Sequence, residues 1–247
     1  MQTLIVTGGA RGIGAACARL AALKGWAVCI NYRSSAALAD ALVADITAAG
    51  GRAAAFAGDV SDEASVIALF DSAEQALGPV RGLVNNAGIL AAPRRLCDID
   101  LDRWNATLGT NLTGSFLCAR EAVRRMSTAR GGAGGAIVNV SSMAAVLGGS
   151  NEFTDYAASK GALDTLTLGL SKEVAAEGIR VNGVRPGLID TEIHAAAGDA
   201  GRVARLMPSV PMQRVGTPEE VAEAVVWLLS DAASYCTGVI MNVSGGR

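Results

Sequence analysis

The chain has 247 residues, half of them apolar but only 4% aromatic, with a formal charge of −2 and no block of like charges. A core of Ala, Val, Leu and Ile suits a parallel sheet covered by helices on both faces. The missing basic stripe argues against a nucleic-acid partner, and no apolar run is long enough to cross a bilayer, so no membrane partner is expected.

In chain order, short β-like runs alternate with longer helical ones. Leu4–Thr7 reads as a strand, followed by a glycine turn and a helix to about Lys24. Ala27–Asn31 is a second strand, Ala36–Ala49 a helix, Ala53–Ala57 a third strand, and Ser61–Leu77 a helix opened by a Ser N-cap. Val80–Asn85 is a fourth strand and Leu101–Met126 is mostly helix. A glycine loop at 131–135 leads to the apolar strand Ala136–Val140. Tyr156–Glu177 is helix, Arg180–Val184 strand, Thr217–Ser230 helix with Pro218 in its first turn, and Val239–Val243 a last strand. The β-α-β order predicts an α/β, Rossmann-like, doubly wound parallel sheet of about seven strands in one domain, 1–247. Gly187–Val215 fits least well, and a segment of that kind reads as a lid over a site.

The five cysteines, at 17, 29, 97, 118 and 236, are odd in number and nowhere two to four residues apart, which argues against a disulfide framework and against a metal site. With no positive n-region and cleavage site ahead of the first strand, a cytoplasmic location is expected. Eighteen Arg accompany only three Lys, at 24, 160 and 172, so a Lys here stands out as a residue chosen for what Arg cannot do.

Three local patterns carry chemistry. Thr7-Gly8-Gly9-Ala10-Arg11-Gly12-Ile13-Gly14 follows a strand and opens a helix, a setting in which the backbone approaches a pyrophosphate; taken alone it also fits a plain tight turn. Tyr156 and Lys160 lie at i and i+4, on one helix face. A cation at ~5 Å with an effective dielectric of ~20 is worth about 3 kcal/mol, enough to draw a phenol toward neutral pH. The other reading is a surface Lys beside a packed Tyr ring. Ser141 and Ser142 directly follow a buried strand, at the sheet edge where ligands bind in this architecture, although a turn-closing Ser is equally at home there.

Together with Asn85-Asn86-Ala87-Gly88, Asn111 and Arg185-Pro186-Gly187, these motifs occur in an order and spacing that resemble the short-chain dehydrogenase/reductase family, in particular its sugar dehydrogenases and 3-oxoacyl-thioester reductases. The resemblance implies hydride transfer between a nicotinamide dinucleotide and a small-molecule carbonyl or secondary alcohol. It implies that Tyr156 exchanges a proton with the substrate oxygen, Lys160 lowers the Tyr156 pKa and holds the nicotinamide ribose, Ser142 orients the substrate oxygen, and Asn111 holds a water linking Lys160 to solvent. It further implies that Gly8, Gly12, Ile13 and Gly14 meet the pyrophosphate. Asp59 and Val60 would meet the adenine, Asn86, Ala87 and Gly88 the adenine ribose side, and Pro186, Gly187, Ile189 and Thr191 the nicotinamide carboxamide. Ser142 precedes Tyr156 by 14 residues where many members have 13, which reads as an insertion within Ala145–Thr154 and leaves Ser141 as a second candidate.

The end of the second strand points to the coenzyme. An NAD-preferring fold places Asp or Glu about 20 residues after the glycine turn; here Tyr32 holds that position, followed by Arg33, Ser34 and Ser35, with Arg11 across the turn. This predicts NADP, with NAD as the other coenzyme considered, and a 2′-phosphate that meets cations and no carboxylate. The lone His194 reads as a loop residue. Helices 101–126 and 156–177, apolar on more than one face, together with the resemblance, predict a homotetramer of 222 symmetry. The alternatives are a non-catalytic dinucleotide sensor on the same fold and a sugar-nucleotide epimerase, for whose larger substrate region the chain has little room. The substrate pocket is expected from Leu90–Leu96, Ala144–Phe153 and Leu188–Arg214.

Overall fold

The strands are β1 (Thr3–Val6), β2 (Ala27–Tyr32), β3 (Arg52–Ala57), β4 (Val80–Asn85), β5 (Gly135–Val140), β6 (Ile179–Pro186) and β7 (Ile240–Val243). In the computed structural model, which describes residues 2–192, 197–199 and 201–247, they form one sheet of order β3-β2-β1-β4-β5-β6-β7, parallel throughout. The helices are α1 (Gly12–Leu23), α2 (Ala36–Ala48), α3 (Glu63–Leu77), α4 (Leu101–Leu108), α5 (Gly114–Met126), α6 (Ala144–Leu147), α7 (Thr154–Val174), α8 (Arg202–Leu206) and α9 (Pro218–Leu229).

The continuous apolar strands make sense because both sheet faces are covered. Side chains alternate across the sheet, so Leu4 and Val6 point to one core and Ile5 to the other. On the first face Val28, Ile30 and Val138 meet Ala18 of α1, Leu42 of α2 and Val225 of α9. On the second face Cys29, Leu83 and Ile137 meet Phe70 of α3, Leu117 and Ala122 of α5 and Val174 of α7. Small residues in α1 (Ala16, Cys17, Ala18, Ala21) let it lie close to the sheet and to α9. Burial pushes the thiols of Cys17, Cys29 and Cys118 up to about 12, so they serve as small core residues.

Three local expectations change. The single helix over 101–126 is α4 and α5 joined by a π-helical turn, Gly109–Thr113, that directs Asn111 inward, fully buried. The N-cap of α3 is Asp62, whose carboxylate accepts from the Ser65 amide at 2.7 Å, not Ser61, whose hydroxyl donates to Asp59 at 2.6 Å. The sixth strand runs two residues further than expected, to Pro186, carrying that residue to the carboxyl edge of the sheet. At α9, Thr217 and Glu220 form a capping box with Pro218 in the first turn. Among the described residues no helix is long and apolar enough to cross a membrane.

Candidate active site

The strand order reverses between β1 and β4, and a crevice opens outside their carboxyl ends, as expected for this topology. It is a cleft of about 460 Å³. Of the residues singled out above it is bordered by Gly8, Arg11, Gly12, Ile13, Tyr32, Arg33, Ser34, Ser35, Asp59, Val60, Asn86, Ala87, Gly88, Ser141, Ser142, Tyr156, Lys160, Pro186, Gly187, Ile189 and Thr191. Gly14 and Asn111 do not border it. A Cβ on Gly14 would lie 2.5 Å from Asn86 Nδ2 and 2.6 Å from the Gly8 carbonyl, so that glycine serves the packing of the turn. Asn111 stands behind the site.

The coenzyme side is held by short hydrogen bonds. Thr7 Oγ1 accepts from the amides of Asn86 and Ala87 at 3.0 Å each, and Asn86 Nδ2 donates to the carbonyls of Thr7 and Gly8 at 3.0 Å each. The glycine turn is thereby clamped to the end of β4. Asn31, buried in β2, donates to the Gly58 carbonyl at 3.0 Å and ties the ends of β2 and β3 together. Gly8 and Gly12 have φ of 59° and 53°, a left-handed backbone that glycine tolerates. No side chain caps the first turn of α1 and no acidic residue lies in it, so its amides are available to an anion. These features fit the pyrophosphate of a dinucleotide.

The expected anchor for a 2′-phosphate is less open than the sequence implies. Arg33 Nη1 lies 3.8 Å from Asp59 Oδ2, so a carboxylate does sit beside it. That carboxylate is engaged by the Ser61 hydroxyl and amide, which, with Arg33, hold it below the usual range. Arg11 Nη1 lies 3.5 Å from Glu192, across the mouth.

The acid–base side gathers on α7. Tyr156 keeps part of its surface open to the cleft and hydrogen-bonds Ser142. Burial pushes its phenol up and the Ser142 hydrogen bond works against that shift. Lys160 is buried, its Nζ donating to the Val140 carbonyl at 2.8 Å and lying 5.7 Å from the centre of the Tyr156 ring. Burial brings Lys160 down to about 8, opposed by the negative charge of Asp164. In this structure the direction of the phenol's shift is set by burial, with the Ser142 hydrogen bond against it, and not by the neighbouring cation.

Both serines border the cleft, but their hydroxyls have different partners: the buried Ser141 hydroxyl donates to the Lys160 carbonyl at 3.2 Å, whereas that of Ser142 meets Tyr156. Between Ser142 and Tyr156 the extra length is taken up by α6 and a turn in which Gly148, Gly149 and Asn151 all have positive φ. Asn111 Oδ1 accepts from the Ile89 amide at 2.8 Å, and its Nδ2 donates to the Ile89 carbonyl at 3.1 Å and to Ser159 Oγ at 3.2 Å. It thus joins the π-turn, the strand-β4 exit and α7.

Sequence reasoning passed over several residues. Arg103 grips Asp155, the residue before Tyr156, through Nε at 2.8 Å and Nη2 at 3.1 Å. Burial pushes the Asp155 carboxyl up, but the Arg103 guanidinium and backbone amides outweigh it and hold the group below its usual range. Arg247, at the end of the chain, borders the cleft. On the substrate side the guanidinium of Arg202 lies 4.6 Å over the Phe153 ring and hydrogen-bonds Glu152, which Arg205 also approaches at 3.4 Å. For Glu152, Phe153, Arg202 and Arg205 the only advance signal is that they fall in segments expected to build the pocket; Arg103, Asp155 and Arg247 lie outside those segments. His194 lies outside the described residues, and among those described no cluster of three or more metal-ligating side chains occurs.

A glycine turn, a Ser–Tyr–Lys set and a dinucleotide-shaped cleft on a seven-stranded parallel sheet define a nicotinamide-dependent oxidoreductase. A family model described as enoyl-(acyl carrier protein) reductase matches residues 8–247. The chain is 54% identical over 247 residues, the full length of both, to an uncharacterized oxidoreductase, YgfF, of Escherichia coli K12. It is 43% identical over 245 residues, 99% of this chain and 96% of the relative, to the cis-4-hydroxycyclohexanecarboxylate dehydrogenase of Sinomonas cyclohexanicum. A crystal structure of a dehydrogenase/reductase from Sinorhizobium meliloti 1021 superimposes with a TM-score of 0.92 at 33% identity, over 99% of this chain and 94% of that one. The protein belongs to the short-chain dehydrogenase/reductase family and is an NAD(P)-dependent enzyme of that family.

Proposed function

We propose that the protein is an NADP(H)-preferring oxidoreductase that interconverts a small carbonyl compound and its secondary alcohol with Ser142, Tyr156, Lys160 and Asn111. The observation that carries this reading is the convergence of Ser142, Tyr156 and Lys160 on one cleft beside the clamped glycine turn. The bound coenzyme supplies the hydride. In the reducing direction the Tyr156 phenol, protonated at neutral pH as phenols are and held so more firmly by burial, donates its proton to the substrate oxygen as that oxygen gains charge. Ser142 donates to the same oxygen and fixes its angle. Lys160 stabilises the phenolate left behind, and its proton is restored through the water expected at Asn111.

The NADP preference rests on Arg33, Ser34 and Ser35 at the far end of the cleft, where Tyr32 replaces a carboxylate. Guanidinium matches phosphate oxygens bidentately, and Asp59 approaches Arg33 only at 3.8 Å, beyond hydrogen-bond distance. The reading as a homotetramer rests on Phe116 of α5 and Leu168 of α7, both over 40% exposed in the single chain. A monomer in light scattering at micromolar concentration would remove that part. A cytoplasmic location belongs to the same reading.

Met143, Leu147, Phe153 and Leu188 give the substrate side an apolar lining, which favours a ring or acyl substituent next to the reacting carbon. The deciding experiment is a panel of cyclic and open-chain ketones, aldoses and 3-oxoacyl thioesters, with 4-oxocyclohexanecarboxylate among them, scored by oxidation of NADPH and of NADH. Turnover of at least one carbonyl class with NADPH is expected. Failure with every class and both coenzymes would refute the reading.

A further inference from the structure

Lys160 is one of three lysines in the chain, and it stands buried where its charge needs support. Four residues on, one turn along the same face of α7, lies Asp164, only 6% exposed. Its Oδ2 accepts from Arg185 Nε at 2.8 Å, while its Oδ1 is buried with no hydrogen-bond partner among the described residues. Arg185 sits on β6 directly before Pro186 and Gly187, which border the cleft. The row Lys160–Asp164–Arg185 therefore alternates in sign from the cleft toward the edge of the sheet, and joins the acid–base helix to the strand end beneath the nicotinamide side.

We propose that Asp164 and Arg185 are a positioning pair for Lys160: the Asp164 carboxylate keeps the buried Lys160 ammonium charged, and Arg185 holds that carboxylate in place while tempering its charge. The inference rests on the reading of Lys160 as part of the acid–base set. The groups facing Lys160 are few. Its own helix presents the Tyr156 phenol and Asp164; β5 presents the Val140 carbonyl at 2.8 Å. The turn after β4 presents Gly88, where an added Cβ would come within 3.6 Å of Lys160 Nζ. Arg185 of β6 reaches it through Asp164. Burial lowers the Lys160 ammonium and Asp164 opposes it, leaving the group at about 8, within reach of working pH, where a change in one neighbouring charge alters its protonation.

A structural tie between α7 and β6 would explain the ion pair equally well, so the test reads Lys160 itself. Lysine labelled with carbon-13 at Cε gives three resonances, assigned by Lys24→Arg and Lys172→Arg, and each is titrated in the coenzyme-free protein. In Asp164→Asn the Lys160 midpoint is expected to fall by on the order of one pH unit, because the favourable charge is gone while the shape remains. In Arg185→Met it is expected to rise, because a cation is removed and the carboxylate is left. Arg185→Met also decides the matter alone should Asp164→Asn not fold. Midpoints that stay at the wild-type value, or that move with the opposite sign, overturn the proposal whatever happens to turnover. Since no catalysis is involved in the titration, failure of the substrate panel or of Tyr156 as proton donor would leave a distinct result.

Discussion

The two rims of the cleft are built differently. Around the glycine turn, backbone amides and the short side chains of Thr7, Asn31 and Asn86 are locked by hydrogen bonds of 3.0 Å, with Thr7 and Asn31 buried. Around Phe153, the wall is made of turn residues and the short helix α8 joined by long side chains, Glu152 with Arg202 and Arg205, and Arg205 with Asp199. The first construction tolerates little change, since a Cβ on Gly8 would already stand 2.9 Å from Ala87 Cα. The second can be altered one side chain at a time. A rim of backbone suits a pyrophosphate, whose shape is fixed, and a rim of side chains suits a substrate, whose shape can vary.

The largest effect is expected just behind Tyr156, outside both rims. Arg103 holds both Asp155 and, through Nη1, the Ala92 carbonyl at 2.5 Å, so Arg103→Met strands a buried carboxylate next to Tyr156. A loss of about 3 kcal/mol of stability is expected in urea unfolding at pH 7, typical of breaking one partner out of a buried pair. Because Asp155 is held below its usual range, the stabilisation is present above the ordinary carboxylate pKa and is lost as pH falls through the folded value. The gap between wild type and variant should therefore narrow in acid. A constant gap would mean that packing, not charge, accounts for the loss.

Next comes the acid–base residue that both rims serve. Tyr156→Phe should lower kcat at least about a hundredfold, the low end for general acid–base catalysis, with coenzyme affinity nearly unchanged. Near-full turnover in the Phe variant would end the mechanism proposed above. On the coenzyme rim, wild type should favour NADPH at least about tenfold in kcat/KM, and Arg33→Ala should shrink that ratio chiefly through KM for NADPH. A wild-type preference for NADH, or an unaltered ratio in the variant, would contradict the assignment.

The smallest effect on stability is expected at the substrate rim. Arg202→Ala removes a pair whose acidic partner is part-exposed, and should cost no more than about 1 kcal/mol of stability, since Glu152 retains Arg205. Substrate KM should change while coenzyme KM does not. If both constants move together, the two rims are coupled more tightly than their construction implies.

The sequence by itself determined the alternation of seven strands with helices, because apolar periodicity and strand length are local properties. It also determined where the motif residues fall, because a glycine turn, a Ser after β5 and an i, i+4 Tyr–Lys pair are each written within a few positions. Tertiary structure alone decided the rest. The π-turn that buries Asn111 leaves no mark in residue propensities, and which of the two serine hydroxyls meets Tyr156 depends on which one the Lys160 carbonyl takes. Arg33 beside Asp59, Arg103 with Asp155, Glu152 with Arg202 and Asp164 with Arg185 are pairs that stand 21 to 52 residues apart along the chain. Charge attraction acts through space, and which charges meet is settled only when the sheet order brings distant strands and their loops to one edge.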